Sequence, residues 1–264
     1  MNLSVVQSRA IVGVHAVPVS VEIHLSGGLP SLSIVGMPET AVRESKDRVR
    51  AALLNSGFDF PPSRITVNLA PADLPKSGGR FDLPIALGLL AASGQLDGNL
   101  LNPYEFIGEL ALGGELRAVN GALPTALATQ DSGRALVVSD ENGAEASLAE
   151  HCQVFAAATL LQLCTHLMSK DGLHELRTGS PGVGTVSKAL PDLSDVRGQH
   201  QARRALEVAA SGGHNMLLVG PPGTGKSMLA SRLPAVMPSM SLKEALETAS
   251  VAVSYTHLTL PTKA

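Results

Sequence analysis

The 264-residue chain has no tryptophan, two tyrosines, five phenylalanines and two cysteines. So few aromatics argue against a surface that stacks bases on aromatic rings. Cys152 and Cys164 belong to no CxxC pair, which gives no support to a disulfide scaffold or a zinc site. The eight histidines form no HxxxH or HExxH pair. Charged residues make up only 16%, and 20 basic against 23 acidic side chains leave a net charge of −3. That balance excludes coating nucleic acid through bulk charge, although it allows a local basic patch. No apolar run approaches the ~18–20 residues a membrane span needs. The opening Met1-Asn2-Leu3-Ser4 lacks a basic segment followed by an apolar one, so a cytoplasmic protein with no membrane partner is expected.

What is present is core material and turns. Hydrophobic residues reach 44%, with 26 glycines and 17 prolines. Residues 3–36 read as strands. Val17, Val19, Val21, Ile23 and Leu25 alternate with polar residues or proline, the pattern of a half-buried strand. Residues 39–55 read as a helix with Val42, Val49 and Leu53 inward. Its charged run Arg43–Arg50 reads as a solvated face, and Gly57 lies just past its end. A strand is expected over Arg64–Leu69, and Lys76–Gly79 reads as a loop. An apolar helix is expected over Asp82–Ala92, with Asp82 as its N-cap and Pro84 in its first turn. Phe106–Val119 reads as a hairpin turning at Gly113-Gly114. Helices over 121–131, 141–149 and 158–167 then alternate with strands over Ala135–Val138 and Val154–Ala156. The first domain is therefore placed at 1–167. A linker is expected over 168–192, where Ser, Gly, Pro, Lys and Asp dominate.

A second domain is expected from residue 193, with a helix over 199–211 and a strand over Asn215–Val219. Then comes Gly220-Pro221-Pro222-Gly223-Thr224-Gly225-Lys226-Ser227, a match to GxxxxGK[ST]. The apolar strand before it and Met228, Leu229 and Leu233 after it supply the context of a phosphate-binding loop. Gly220, Gly223 and Gly225 permit unusual dihedrals that bring amide N–H groups to phosphate oxygens. A helix N-terminus adds its dipole. Lys226 is expected to meet the β- and γ-phosphates of ATP, and Ser227 to ligate Mg²⁺. Hydrolysis also needs an acidic strand end, and Ser139-Asp140-Glu141 belongs by position to the first domain. Only 37 residues follow Ser227, so the nucleotide domain reads as cut short.

Asp195-Val196-Arg197-Gly198-Gln199, Ala205–Ala210 and Gly212–Asn215, running into the phosphate loop, resemble the Mg-chelatase-like AAA+ ATPases of the bacterial YifB/ComM family. The resemblance continues through Gly36-Met37-Pro38, Asn68–Asp73, Lys76–Pro84 and Phe106–Leu110, covering roughly residues 1–250. It implies an α+β N-terminal domain of the ribosomal-S5-domain-2/Lon-protease-like fold, followed by the start of an α/β P-loop NTPase (AAA+) domain over 193–252. It also implies homo-hexameric rings that hydrolyse ATP and, in the ComM branch, helicase and branch-migration activity on DNA. Val196, Gly198 and Gln199 would lie near the adenine. Lon-like proteases use a Ser–Lys dyad, but Asp82 and Pro124 stand at the expected places, which disfavours proteolysis. Ser77 beside Lys76 reads as a solvent-exposed turn. Residues 253–264 fit neither a family helix nor a family strand. Two alternatives stay open: a magnesium-chelatase-type motor subunit, and a catalytically incomplete nucleotide-binding or oligomerisation fragment.

Overall fold

The computed structural model describes residues 2–169, 175–176 and 191–255. It divides into two compact units, Met1–Pro181 together with Thr248–Ala264, and Gly182–Glu247. Most of the expected linker, and residues 256–264 of the expected tail, lie outside the described residues.

The first unit opens with β1 (Leu3–Val12), β2 (His15–Ser26) and β3 (Ser31–Val35). In β2 the alternation settles the sheet face: Val19, Val21, Ile23 and Leu25 are buried between more exposed polar residues. Next come α1 (Thr40–Arg43) and α2 (Ser45–Asn55). The single helix expected over 39–55 is thus two, broken at Glu44. The two pieces nevertheless bury Val42, Val49 and Leu53 as the spacing required, and Gly57 (φ 82) follows α2 in the left-handed conformation.

The rest of the unit follows the expected order. It contains β4 (Arg64–Ala70), α3 (Asp82–Ala92), β5 (Tyr104–Phe106), β6 (Glu109–Leu110) and β7 (Leu116–Arg117). It then runs through α4 (Ala122–Asp131), β8 (Ala135–Ser139), α5 (Asp140–Ala146), β9 (Val154–Ala157), α6 (Leu160–Ser169) and β10 (Glu175–Leu176). The hairpin expected over Phe106–Val119 shrinks to the two-residue ladder β6–β7, because Phe106 instead joins the main sheet through β5. That sheet is mixed, in the order β10-β9-β8-β5-β1-β2-β4-β3. It is parallel through β9-β8-β5-β1 and antiparallel across β1-β2-β4, and β3 pairs parallel to β4.

The apolar helix α3 is buried along its whole length, lies against β1 and β2, and carries α2 on its other side. Gly88 makes the close approach possible, since a Cβ there would collide with Ile23. Two ion pairs lock the unit, Arg9–Glu105 buried on both sides and Arg48–Asp82 buried at the acid. Arg9 grips Glu105 through Nε at 2.6 Å and Nη2 at 3.1 Å, and Thr129 and Ser132 donate to the same carboxylate. Asp82 is not an N-cap; it is the first residue of α3, with Phe81 at the cap. Its carboxylate accepts from Arg48 Nε at 2.6 Å, from Ser45 Oγ and from the Leu110 amide. Arg48 therefore departs from the solvated face expected for its helix, and the Asp82 bond raises its pKa.

The second unit contains a short 3₁₀ turn at Leu193–Asp195, then α7 (His200–Gly212), α8 (Lys226–Ala230) and α9 (Leu233–Val236). Its core gathers Leu193, Val196, Leu206 and Leu229, with Met216 and Leu218 packed against them. Helix α10 (Leu242–Tyr255) begins with a reciprocal cap: Ser241 N–H donates to Glu244 Oε2 at 2.7 Å, and Glu244 N–H donates to Ser241 Oγ at 3.3 Å. It runs unbroken through Val253-Ser254-Tyr255, where a change of character was expected. Among the described residues, no helix is long and apolar enough to cross a membrane.

Candidate phosphate-binding site

The site is reached from α7. Gly213 (φ 62) ends that helix in the left-handed conformation, and the chain then extends towards the loop. The expected strand Asn215–Val219 forms no ladder among the described residues, because no partner strand of this unit lies beside it. Its alternation survives all the same. Met216 and Leu218 pack inward, while Leu217 and Val219 are 87% and 85% exposed.

The loop follows. Gly223 (φ 83) and Gly225 (φ 82) take the left-handed conformations expected of them, but Gly220 does not. Gly220 instead contributes small size, since a Cβ there would stand 3.3 Å from Thr224 Oγ1. Among the described residues, a turn spans Pro222-Gly223, and the backbone N–H groups of Gly225, Lys226 and Ser227 donate to no protein acceptor. Such a row of free donors on exposed backbone has the chemistry an oxyanion requires. Lys226 and Ser227 begin α8. The Lys226 ammonium is folded over the loop, donating to the Gly220 carbonyl at 2.8 Å and the Pro221 carbonyl at 2.6 Å. It can exchange these carbonyls for phosphate oxygens without leaving the loop. Ser227 is exposed at the same edge. The helix expected to continue through Leu233 stops at Ala230, because Pro234 supplies no N–H and its ring would meet the Ala230 carbonyl.

Val196, Gly198 and Gln199 divide their work. Val196 is a core residue, held also by Arg203 Nη1 on its carbonyl at 3.3 Å. Gly198 (φ 71) and Gln199 (φ 50) are both left-handed. This turn aims Gln199 at the loop, where Nε2 donates to the Thr224 carbonyl at 3.0 Å. Sequence reasoning missed Arg232. Its guanidinium donates to the Asp192 and Met228 carbonyls and pairs with Asp195 at 3.2 Å, binding the entry turn to the end of α8. No motif flags that position; only its distant partners do. Asp192 itself caps the entry turn, and its bond from the Ser194 amide lowers its pKa. On the helix face, Arg204 and Glu207 form an i,i+3 pair at 3.1 Å.

The positions of the Lon-type dyad hold no such chemistry. Asp82 is committed to Arg48, and Pro124 is buried in α4. Ser77 is exposed as expected, whereas Lys76 is buried and donates to the Pro71 carbonyl.

Comparison with known proteins bears out the family resemblance. Residues 21–142 match the family described as subunit ChlI of Mg-chelatase, and residues 192–262 match magnesium chelatase, subunit ChlI. The chain is 52% identical over 252 residues to the uncharacterized protein YifB of Escherichia coli K12, covering 95% of this chain and 49% of that protein. It is 52% identical to the competence protein ComM of Haemophilus influenzae Rd, covering 95% of this chain and 50% of that one. An uncharacterized protein of Mycobacterium tuberculosis H37Rv is 42% identical over 92% of the chain and 48% of its own length. The chain spans about half the length of the curated relatives it matches. With both units matched and half of all aligned residues identical to YifB and ComM, the chain belongs to the magnesium-chelatase ChlI-related family that holds those two proteins.

Proposed function

We propose that the second unit binds ATP with Mg²⁺ through Gly220, Pro221, Pro222, Gly223, Thr224, Gly225, Lys226 and Ser227. The carrying observation is the run of unpaired amides from Gly225 to Ser227 next to the Lys226 ammonium, which is folded onto the Gly220 carbonyl. These amides cradle the phosphates, Lys226 meets the β- and γ-phosphates, and Ser227 holds Mg²⁺. Val196, Gly198 and Gln199 flank the adenine, a role supported by the Gln199–Thr224 bond. In this reading the first domain is 1–167, of the S5-domain-2/Lon-like kind, joined through 168–192 to an AAA+ portion at 193–252. The whole protein is a cytoplasmic homo-hexameric ring that couples ATP hydrolysis to work on DNA, as helicase or branch-migration motor. Kinship with a protein named for competence supports the choice of DNA.

Both family matches also favour a second reading, a motor subunit for magnesium insertion into a porphyrin. DNA-stimulated ATP turnover by the whole protein separates the two. The nucleotide site has its own test. Lys226→Ala removes a charge-assisted contact of about 3 kcal/mol, so calorimetry should show ATP affinity reduced by about 100-fold or more. An unchanged affinity refutes the assignment.

A further inference from the structure

A second polar cavity, of about 310 Å³, lies in the first unit between the Ser77–Arg80 loop and the segment that leads into α4. Its floor is Arg80, 6% exposed. Buried guanidinium groups normally face a carboxylate, because an unpaired buried charge is costly. Arg80 faces none within ion-pair distance among the described residues; it donates only to the Arg9 and Asn120 carbonyls. The acid that acts on it from further off, Glu145, is engaged by the Leu123 amide and by Asn142. Burial pulls the Arg80 pKa down to about 10, so it is still a cation at neutral pH. Two of its five donors are used in these bonds. Glu109 lines the same cavity; its Oε1 stands 3.8 Å from Arg117 Nη1, and its carboxylate lies against Gly79, where any Cβ would collide with it.

We propose that this cavity binds a small organic oxyanion, a carboxylate or phosphate ester, whose charged group pairs with Arg80 while a hydroxyl on the same ligand donates to Glu109. A buried cation and a carboxylate acceptor in one cavity select such a bifunctional molecule over a bare ion. The site is separate from the phosphate loop, which lies in the other unit.

The test uses the full chain carrying Lys226→Ala, which removes the phosphate loop as a source of signal. Glycerol 3-phosphate, lactate and inorganic phosphate are titrated by calorimetry up to about 20 mM. Saturable binding of glycerol 3-phosphate or lactate is expected, and which of the two binds more tightly identifies the oxyanion. Arg80→Met, and Ala118→Trp at the exposed rim, should each weaken that binding at least tenfold. If Arg80→Met does not fold, as judged by circular dichroism, Ala118→Trp decides alone. Absence of saturable binding by either organic probe overturns the proposal, as does binding that survives Ala118→Trp. Glu109→Gln should reduce the preference for glycerol 3-phosphate over inorganic phosphate, and an unchanged preference overturns the Glu109 contact.

Discussion

The two units hold their polar residues for opposite reasons. In the first, a continuous apolar core forms around β2, β4 and α3; the Arg9–Glu105 pair is buried, and Asp82 is buried beneath a half-buried Arg48. In the second, four buried residues form the core, while Leu217 and Val219 face outward almost fully exposed. There the shape of the phosphate loop depends on bridges from side chains to backbone. Arg232 ties both flanks together, Arg203 holds the entry turn, and Gln199 reaches the loop itself. A dense core fixes geometry by exclusion, because few other packings fit. A sparse one fixes it by directed hydrogen bonds, each worth only about 1 kcal/mol.

The comparison is easiest to break at Asp82. Replacing it with alanine strands Arg48 and leaves Ser45 Oγ and the Leu110 amide without their acceptor. The expected loss is about 3–5 kcal/mol of unfolding free energy, read by urea denaturation. A loss below about 1 kcal/mol would mean that water replaces the carboxylate at Arg48. The second unit offers the next largest effect. Leu206→Ala empties a core position, so hydrogen-exchange protection across α7 should fall by about 30-fold or more, equivalent to about 2 kcal/mol. Leu217→Ala removes a side chain that packs on nothing in this unit and should cost less than about 0.5 kcal/mol. Equal costs at the two leucines would contradict the sparse core.

Much of this was readable in advance. The alternation in β2, the apolar run of α3 and the phosphate-loop string each carry their signal within a dozen residues. What escaped depends on partners far along the chain. Arg48 resembles the other charges of its helix until Asp82, 34 residues later, turns it inward. Met216–Val219 has the composition of a strand, but a ladder needs neighbours, and the pattern of one segment cannot supply them. Arg80 sits beside glycines in what reads as a loop, and nothing local announces that it is buried. The break after Ala230 is different: Pro234 was visible, and its conflict with the Ala230 carbonyl could have been read directly.

The thiols sharpen the contrast through pH. The chain's two cysteines lie in the dense unit, both buried, with burial pushing Cys152 up to about 11 and Cys164 up to about 12. The thiolate is the reactive form, so a thiol reagent at pH 8 should label neither in the native protein and both after unfolding in urea. The same shift makes stability depend on pH. The unfolded chain releases each thiol proton near pH 8.5, whereas the folded one keeps it to a higher pH. Above that point the unfolded state binds fewer protons, so stability falls as pH rises and is complete only below it. For Cys164 the fall approaches about 1.4 kcal/mol per pH unit. Cys164→Ala leaves a small cavity at every pH but removes this slope. The gap between variant and parent should therefore narrow steadily from pH 8 to pH 10. A constant gap would mean that water reaches Cys164 in the native state, and that the core around α6 is looser than the rest of its unit.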